Sequence, residues 1–143
     1  MHITNAMIVP AAIQGKELST RSGSFSTLRH VTSRGYLPTF YADLISRRNG
    51  YYSGNFVDQV IYSYDTPIAW RERDAIDIGQ HVWVIPDITY SATTSTKHQS
   101  QLWKLPNAVR MPADVRTFSE YADLLMGHIE YRHGVMVKGS VER

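Results

Sequence analysis

The chain has 143 residues, 43% hydrophobic and 11% aromatic, a composition that excludes disorder and fits one folded domain over residues 1–143. It contains no cysteine, which excludes a disulfide framework, a thiolate zinc site and a cysteine nucleophile. The net charge of +2 is unevenly spread: residues 1–50 carry six basic against two acidic groups, residues 51–96 two against six, and residues 97–143 seven against five. Such asymmetry allows a basic face without a strongly basic protein.

Residues 3–13, with Pro10, read as a strand or extended arm at a sheet edge. The opening stretch has no basic region followed by a long apolar run, so no signal peptide is expected. No stretch of the chain approaches the ~20 apolar residues of a membrane span. Residues 19–34 are rich in hydroxyls and arginine, and only Phe25, Leu28 and Val31 are apolar, so a loop with one helical turn is expected. Thr39 to Arg48 reads as a helix, with an apolar stripe of Phe40, Tyr41, Leu44 and Ile45 and a stop at Asn49-Gly50. Arg47 and Arg48 in its last turn complement the helix dipole.

From Tyr51 the character changes to the two-residue period of a strand. Val60, Tyr62 and Tyr64 share one strand face, and Gln59, Ile61 and Ser63 the other. Asp65-Thr66-Pro67 marks a bend before Ile68-Ala69-Trp70. Arg71 to Gln80 reads as an exposed connection, Val82–Ile85 as a strand, and Ile88–Ser91 as its continuation past Pro86-Asp87. The expectation is an antiparallel meander of three or four strands.

Thr96 with Gln99 has the spacing of a capping box, and predicts a helix from about Lys97 to Leu105. Residues 106–116 carry two prolines and read as a loop. Thr117 with Glu120 opens a final helix with Phe118, Tyr121, Ala122, Leu125 and Ile129 at helical spacing, ending near His133-Gly134. Val135 to Arg143 reads as a tail. The fold class is therefore α+β: a small antiparallel sheet of three to five strands with two or three helices packed on one face, Leu125 and Ile129 buried against it.

Two segments carry chemistry suited to an anion. A helix opening near Lys97 would present free N–H groups beside Thr93, Thr94, Ser95, Thr96, Lys97 and His98, a set suited to phosphate. A Lys97 ammonium at that positive end makes best sense beside a negative partner. The second segment is the basic one, with Arg21, Arg29 and Arg34, followed by Tyr36, Phe40 and Tyr41; it combines cations for phosphates, hydroxyls for backbone oxygens and rings for bases. No His-x-x-x-His spacing is present, and no metal or cofactor is implied. Asp87, Ser95 and His98 supply the residue types of a nucleophile, base and orienter, but at a spacing that matches no known pattern.

The blocks Tyr64-Asp-Thr-Pro-Ile-Ala-Trp70 and Tyr90-Ser-Ala-Thr-Thr-Ser-Thr-Lys-His-Gln99 resemble a family of small tailed-bacteriophage proteins, many from phages of actinobacteria, that share a domain of unknown function. Its pattern is Tyr-x-Thr-x-Ile-Ala, a variable spacer, then Tyr-Ser-x-Thr-Thr-Ser-x-His-Gln. This chain carries one extra residue between Ser95 and His98, and the resemblance covers about residues 57–105. It implies a phage origin and the host cytoplasm, with no activity to carry over. The functional expectation is an accessory protein that binds nucleic acid, most readily DNA, through phosphate contacts and without catalysis. The rival is a protein–protein module, acting on a host factor or on a second copy of itself, that uses an aromatic surface near Trp70, Trp83 and Trp103.

Overall fold

A computed structural model describes residues 2–49, 56–73 and 81–133, without the side chains of 129–133. Continuous apolar runs in the middle of the chain dictate its architecture. The elements are α1 (Ile8–Ile13), β1 (Leu18–Ser19), β2 (Phe25–Leu28), α2 (Thr39–Arg47), β3 (Val57–Ser63) and β4 (Thr66–Glu72). They are followed by β5 (Val82–Pro86), a π-helical turn (Thr94–His98) running into a 3-10 helix (Gln99–Lys104), β6 (Ala108–Met111) and α3 (Phe118–His133). The six strands form one sheet in chain order, antiparallel from β1 to β5, with β6 parallel to β5.

This α+β fold is broader than expected in two ways. First, Ala108–Met111 and the residue 18–28 hairpin supply strands where the composition reads as loop. Second, helices cover both faces of the sheet. All five residues of β5 are buried, as are six of seven in both β3 and β4, so neither side of the central strands faces water. On one face α2 and α3 pack Tyr41, Ile45, Tyr121 and Leu125 against Val60, Tyr62, Trp70, Val82 and Val84. On the other, α1 and the 3-10 helix pack Ile8, Val9, Ala12, Leu102 and Leu105 against Phe25, Ile61, Ile68, Trp83 and Ile85.

The N-terminal stretch is helical, not extended. Pro10 falls in the first turn of α1, where its missing N–H costs nothing, and Ile8, Val9, Ala11 and Ala12 are buried. Val82 and Val84 lie in the sheet as expected, but Ile88 and Tyr90 do not: the chain leaves β5 at Pro86 to cross over towards the parallel strand β6. The helix expected to open near Lys97 starts earlier. Helical backbone begins at Ala92, and Thr96 Oγ1 donates back to Ala92 O, so the Thr96–Gln99 capping box is not formed. In α3, by contrast, Thr117 Oγ1 accepts the Glu120 N–H at 3.1 Å, and the Glu120 carboxylate accepts the N–H of Arg116 at 3.0 Å. The expected tail at 135–143, most of the connection before β5 and the Ile129 side chain lie outside the described residues.

Candidate binding site

The tight turn between β3 and β4 is Tyr64-Asp65, closed by the Ser63–Thr66 pair. Tyr64 adopts a left-handed backbone (φ 55°), an uncommon state for a bulky side chain. Residues 33–37 lie against this turn at close range. Gly35 has φ 51°, and a Cβ there would lie 2.2 Å from Thr66 Oγ1, so only glycine allows the approach. The Tyr36 N–H then donates to Thr66 Oγ1 at 3.0 Å. Together with residues 88–94 these elements enclose a cleft of about 470 Å³, lined by Tyr36, Ser63, Tyr64, Asp65, Thr66, Ile88, Thr89, Tyr90, Ser91 and Thr94. Tyr36 is 84% exposed and Tyr64 55%. Tyr90 is partly buried, its hydroxyl makes no hydrogen bond among the described residues, and burial pushes its pKa up to about 12. The two sequence blocks, Tyr64–Trp70 and Tyr90–Gln99, thus meet at one place.

Beneath the cleft runs a chain of neutral polar groups. Ser91 Oγ donates to Thr94 Oγ1 (3.3 Å), Thr94 Oγ1 lies 2.8 Å from Ser63 Oγ, and Ser63 Oγ lies 2.6 Å from His98 Nδ1. One proton direction satisfies every link: Ser91 to Thr94, Thr94 to Ser63, Ser63 to Nδ1, with the ring proton on Nε2. His98 is 1% exposed and stacked on Phe25, with ring centroids 4.6 Å apart. Burial, and then the Lys97 charge, hold its pKa below the ordinary 6.5, so the ring is neutral at pH 7.

Beside the cleft, the N-terminal segment and the β1–β2 turn form a groove of about 600 Å³, lined by His2, Ile3, Thr4, Asn5, Thr20, Arg21, Ser22 and Ser24. Asn5 ties this groove to the crossover, its side chain donating to Lys97 O at 3.4 Å. Arg21 and Lys97 are both exposed. The residues expected to share a site are therefore divided. Arg21 and Lys97 come to one region, with Thr96 exposed and Thr93 half-buried nearby in sequence. Thr94 and His98 face the interior, and Ser95 Oγ donates to Gln99 Oε1 at 3.3 Å. Arg29 lies at the other end of β2, where its N–H donates to Glu17, and Arg34 pairs with Asp43 of α2 at 3.3 Å.

Asp87, Ser95 and His98 do not assemble as a set, because His98 meets Ser63, a residue the spacing argument passed over. Strand alternation places Ser63 on the same face as Ile61, but only the crossover brings His98 over it. Lys97 also sits within a helical segment already begun at Ala92, so the argument from an unfavourable first-turn cation does not apply to it. Of the three tryptophans, Trp70 and Trp83 are buried and Trp103 is 77% exposed, so they do not form one surface.

Arg48 does more than complement a helix dipole. It forks onto Glu72 with contacts of 3.0 and 2.8 Å, Tyr121 O–H donates to Glu72 at 2.7 Å, and Trp70 Nε1–H donates to Tyr121 Oη at 3.0 Å. A cavity of about 780 Å³, with Arg48 in its wall, lies between α2 and the start of α3. It mixes Arg47 and Arg116 with Asp43, Asp114, Phe40 and Phe118. Among the described residues no three metal-ligating side chains come together, and no helix is long and apolar enough to cross a membrane.

Fold and cleft together define a three-layer α+β protein, with a mixed six-stranded sheet and a cleft at the β3–β4 turn. Residues 27–115 match the family model described as "Family of unknown function (DUF8033)", and the chain belongs to that family. The matched stretch includes the second half of β2, all of β3 to β6 and the cleft, and leaves α1, β1, Arg21 and the whole of α3 outside. No curated protein and no solved structure matches the chain.

Proposed function

We propose that the protein binds nucleic acid, DNA in the first instance, through phosphate contacts and without a catalytic step. The observation that carries this reading is that Asn5, which lines a hydroxyl-rich groove together with Arg21, also donates to the backbone carbonyl of the exposed Lys97, more than seventy residues away from Arg21 in sequence. Arginine and lysine supply the charge that phosphates release counterions to reach, and the Ser22, Ser24 and Thr20 hydroxyls suit the remaining oxygens. Thr93 and Thr96 border the Lys97 side, whereas Thr94, Ser95 and His98 support the segment from within. Arg29, at the other end of β2, and Arg34, paired with Asp43, contribute long-range charge only. An origin in a tailed phage and action in the host cytoplasm belong to the same proposal and rest on the two sequence blocks.

The test is a titration of the protein with DNA and with RNA at two salt concentrations. Binding should weaken steeply with salt, and Arg21→Ala and Lys97→Ala should each lower the salt slope by about one unit at all sequences alike. Arg34→Ala should leave the slope unchanged. A second reading, binding to a host protein or a second copy through the exposed Trp103, predicts an interaction nearly indifferent to salt and lost in Trp103→Ala.

A further inference from the structure

We propose that the Tyr36–Tyr64 cleft stacks an unpaired base, so that the nucleic acid held by the basic groove is single-stranded. This rests on the phosphate-binding reading and extends it to the strand state. Groove and cleft share an edge: the Tyr64 N–H donates to Ser24 O at 2.8 Å, and Ser24 lines the groove while Tyr64 lines the cleft. A chain crossing from one to the other keeps its phosphates beside Arg21 and its bases beside the tyrosines.

The lining of the cleft fits a neutral planar ring and not a phosphate. It holds two exposed tyrosine rings, several hydroxyls, the Asp65 carboxylate and no cation. A carboxylate repels phosphate but accepts from an N–H on a base edge, the N3–H of thymine or an exocyclic amino group, and the hydroxyls serve donors and acceptors alike. The unpartnered Tyr90 hydroxyl adds one further polar group to the wall.

Both rings are held in place at a cost in backbone freedom. Tyr64 keeps its left-handed conformation, backed by the His98 ring at 5.8 Å, and Tyr36 is anchored through Gly35 and Thr66. Strain in a side chain more than half exposed, at the mouth of a cleft, marks a presented surface. A duplex buries its base faces in its own stack, so only an unpaired base offers a face to these rings.

The experiment is fluorescence anisotropy with three labelled probes of equal length: oligothymidine, a backbone of abasic sites, and a duplex. The parent should bind oligothymidine more tightly than the other two. Tyr64→Asn removes the ring and keeps a residue that tolerates the left-handed backbone. It should weaken oligothymidine binding about 5- to 150-fold and leave the salt slope unchanged. Tyr36→Ala should act in the same direction, and Tyr64→Phe should retain binding. Equal affinity for oligothymidine and the abasic backbone, or tighter binding of the duplex, overturns the stacking proposal and leaves the phosphate reading standing. Failure to bind any probe at low salt overturns both.

Discussion

The two faces of the sheet solve the same problem, polar groups in a dry interior, with opposite chemistry. On the α2–α3 face the polar group is charged: Glu72 is fully buried and holds a bidentate Arg48 and the Tyr121 hydroxyl, with Trp70 completing the set. On the α1 face it is neutral, a relay of the buried Thr94, Ser63 and His98 that ends at the exposed Ser91. A buried charge tolerates no missing partner, so the first network pins α2, β4 and α3 into one unit. A neutral relay costs less to disturb, and its members sit directly under the cleft. The rigid, charged network lies away from the candidate site, and the softer, uncharged one supports it.

That contrast is breakable, and the largest effect should come from the charged side. Glu72→Ala leaves Arg48 without its carboxylate, and loss of one partner of a buried pair costs about 3–5 kcal/mol. Since the Arg48 side chain is 15% exposed and has an escape to water, the lower end is expected, read as a fall in urea midpoint at constant slope. Leu125→Ala, on the same face, should cost roughly 2–5 kcal/mol as a core truncation; a loss below about 1 kcal/mol would place α3 outside the core.

On the neutral side Ser63→Ala deprives Thr94 and His98 of their shared partner and should cost about 1–3 kcal/mol. A cost matching that of Glu72→Ala would erase the distinction between the faces. The smallest effect is that of pH. His98 is held neutral in the fold, so between its lowered native pKa and the unfolded 6.5 the unfolded chain binds more protons. Stability from this group is therefore complete above 6.5 and declines as the pH falls through that window. His98→Gln should flatten this part of the acid limb in thermal melts. Lys97→Ala, which removes the second cause of the shift, should make it shallower.

Much of this architecture is legible in local pattern. The span of α2, the strands at 57–63 and 82–86, the Thr117 cap and the buried Tyr121 and Leu125 follow from periodicity and capping, because each depends on neighbours three or four residues away or on simple alternation. The opposition of Val60 and Tyr62 to Ile61 across β3 follows from alternation too.

What pattern does not carry is anything settled by distant partners. Phe25–Leu28 is a strand because β3 offers it an edge, Leu18–Ser19 because β2 does in turn, and Ala108–Met111 because β5 does; their own sequences are too short or too polar to declare it. The hydroxyls at 93–96 look alike in sequence, yet the crossover turns Thr94 inward to Ser63 and leaves Thr96 at the surface. Arg21 and Arg29, eight residues apart, are carried to opposite ends of β2, and Arg34, whose neighbours Gly35 and Tyr36 reach the β3–β4 turn, is paired with Asp43 of α2. Residue types and local periods are written in the chain; which of them meet is decided by long-range pairing, whose free energy is collected only when the whole sheet forms.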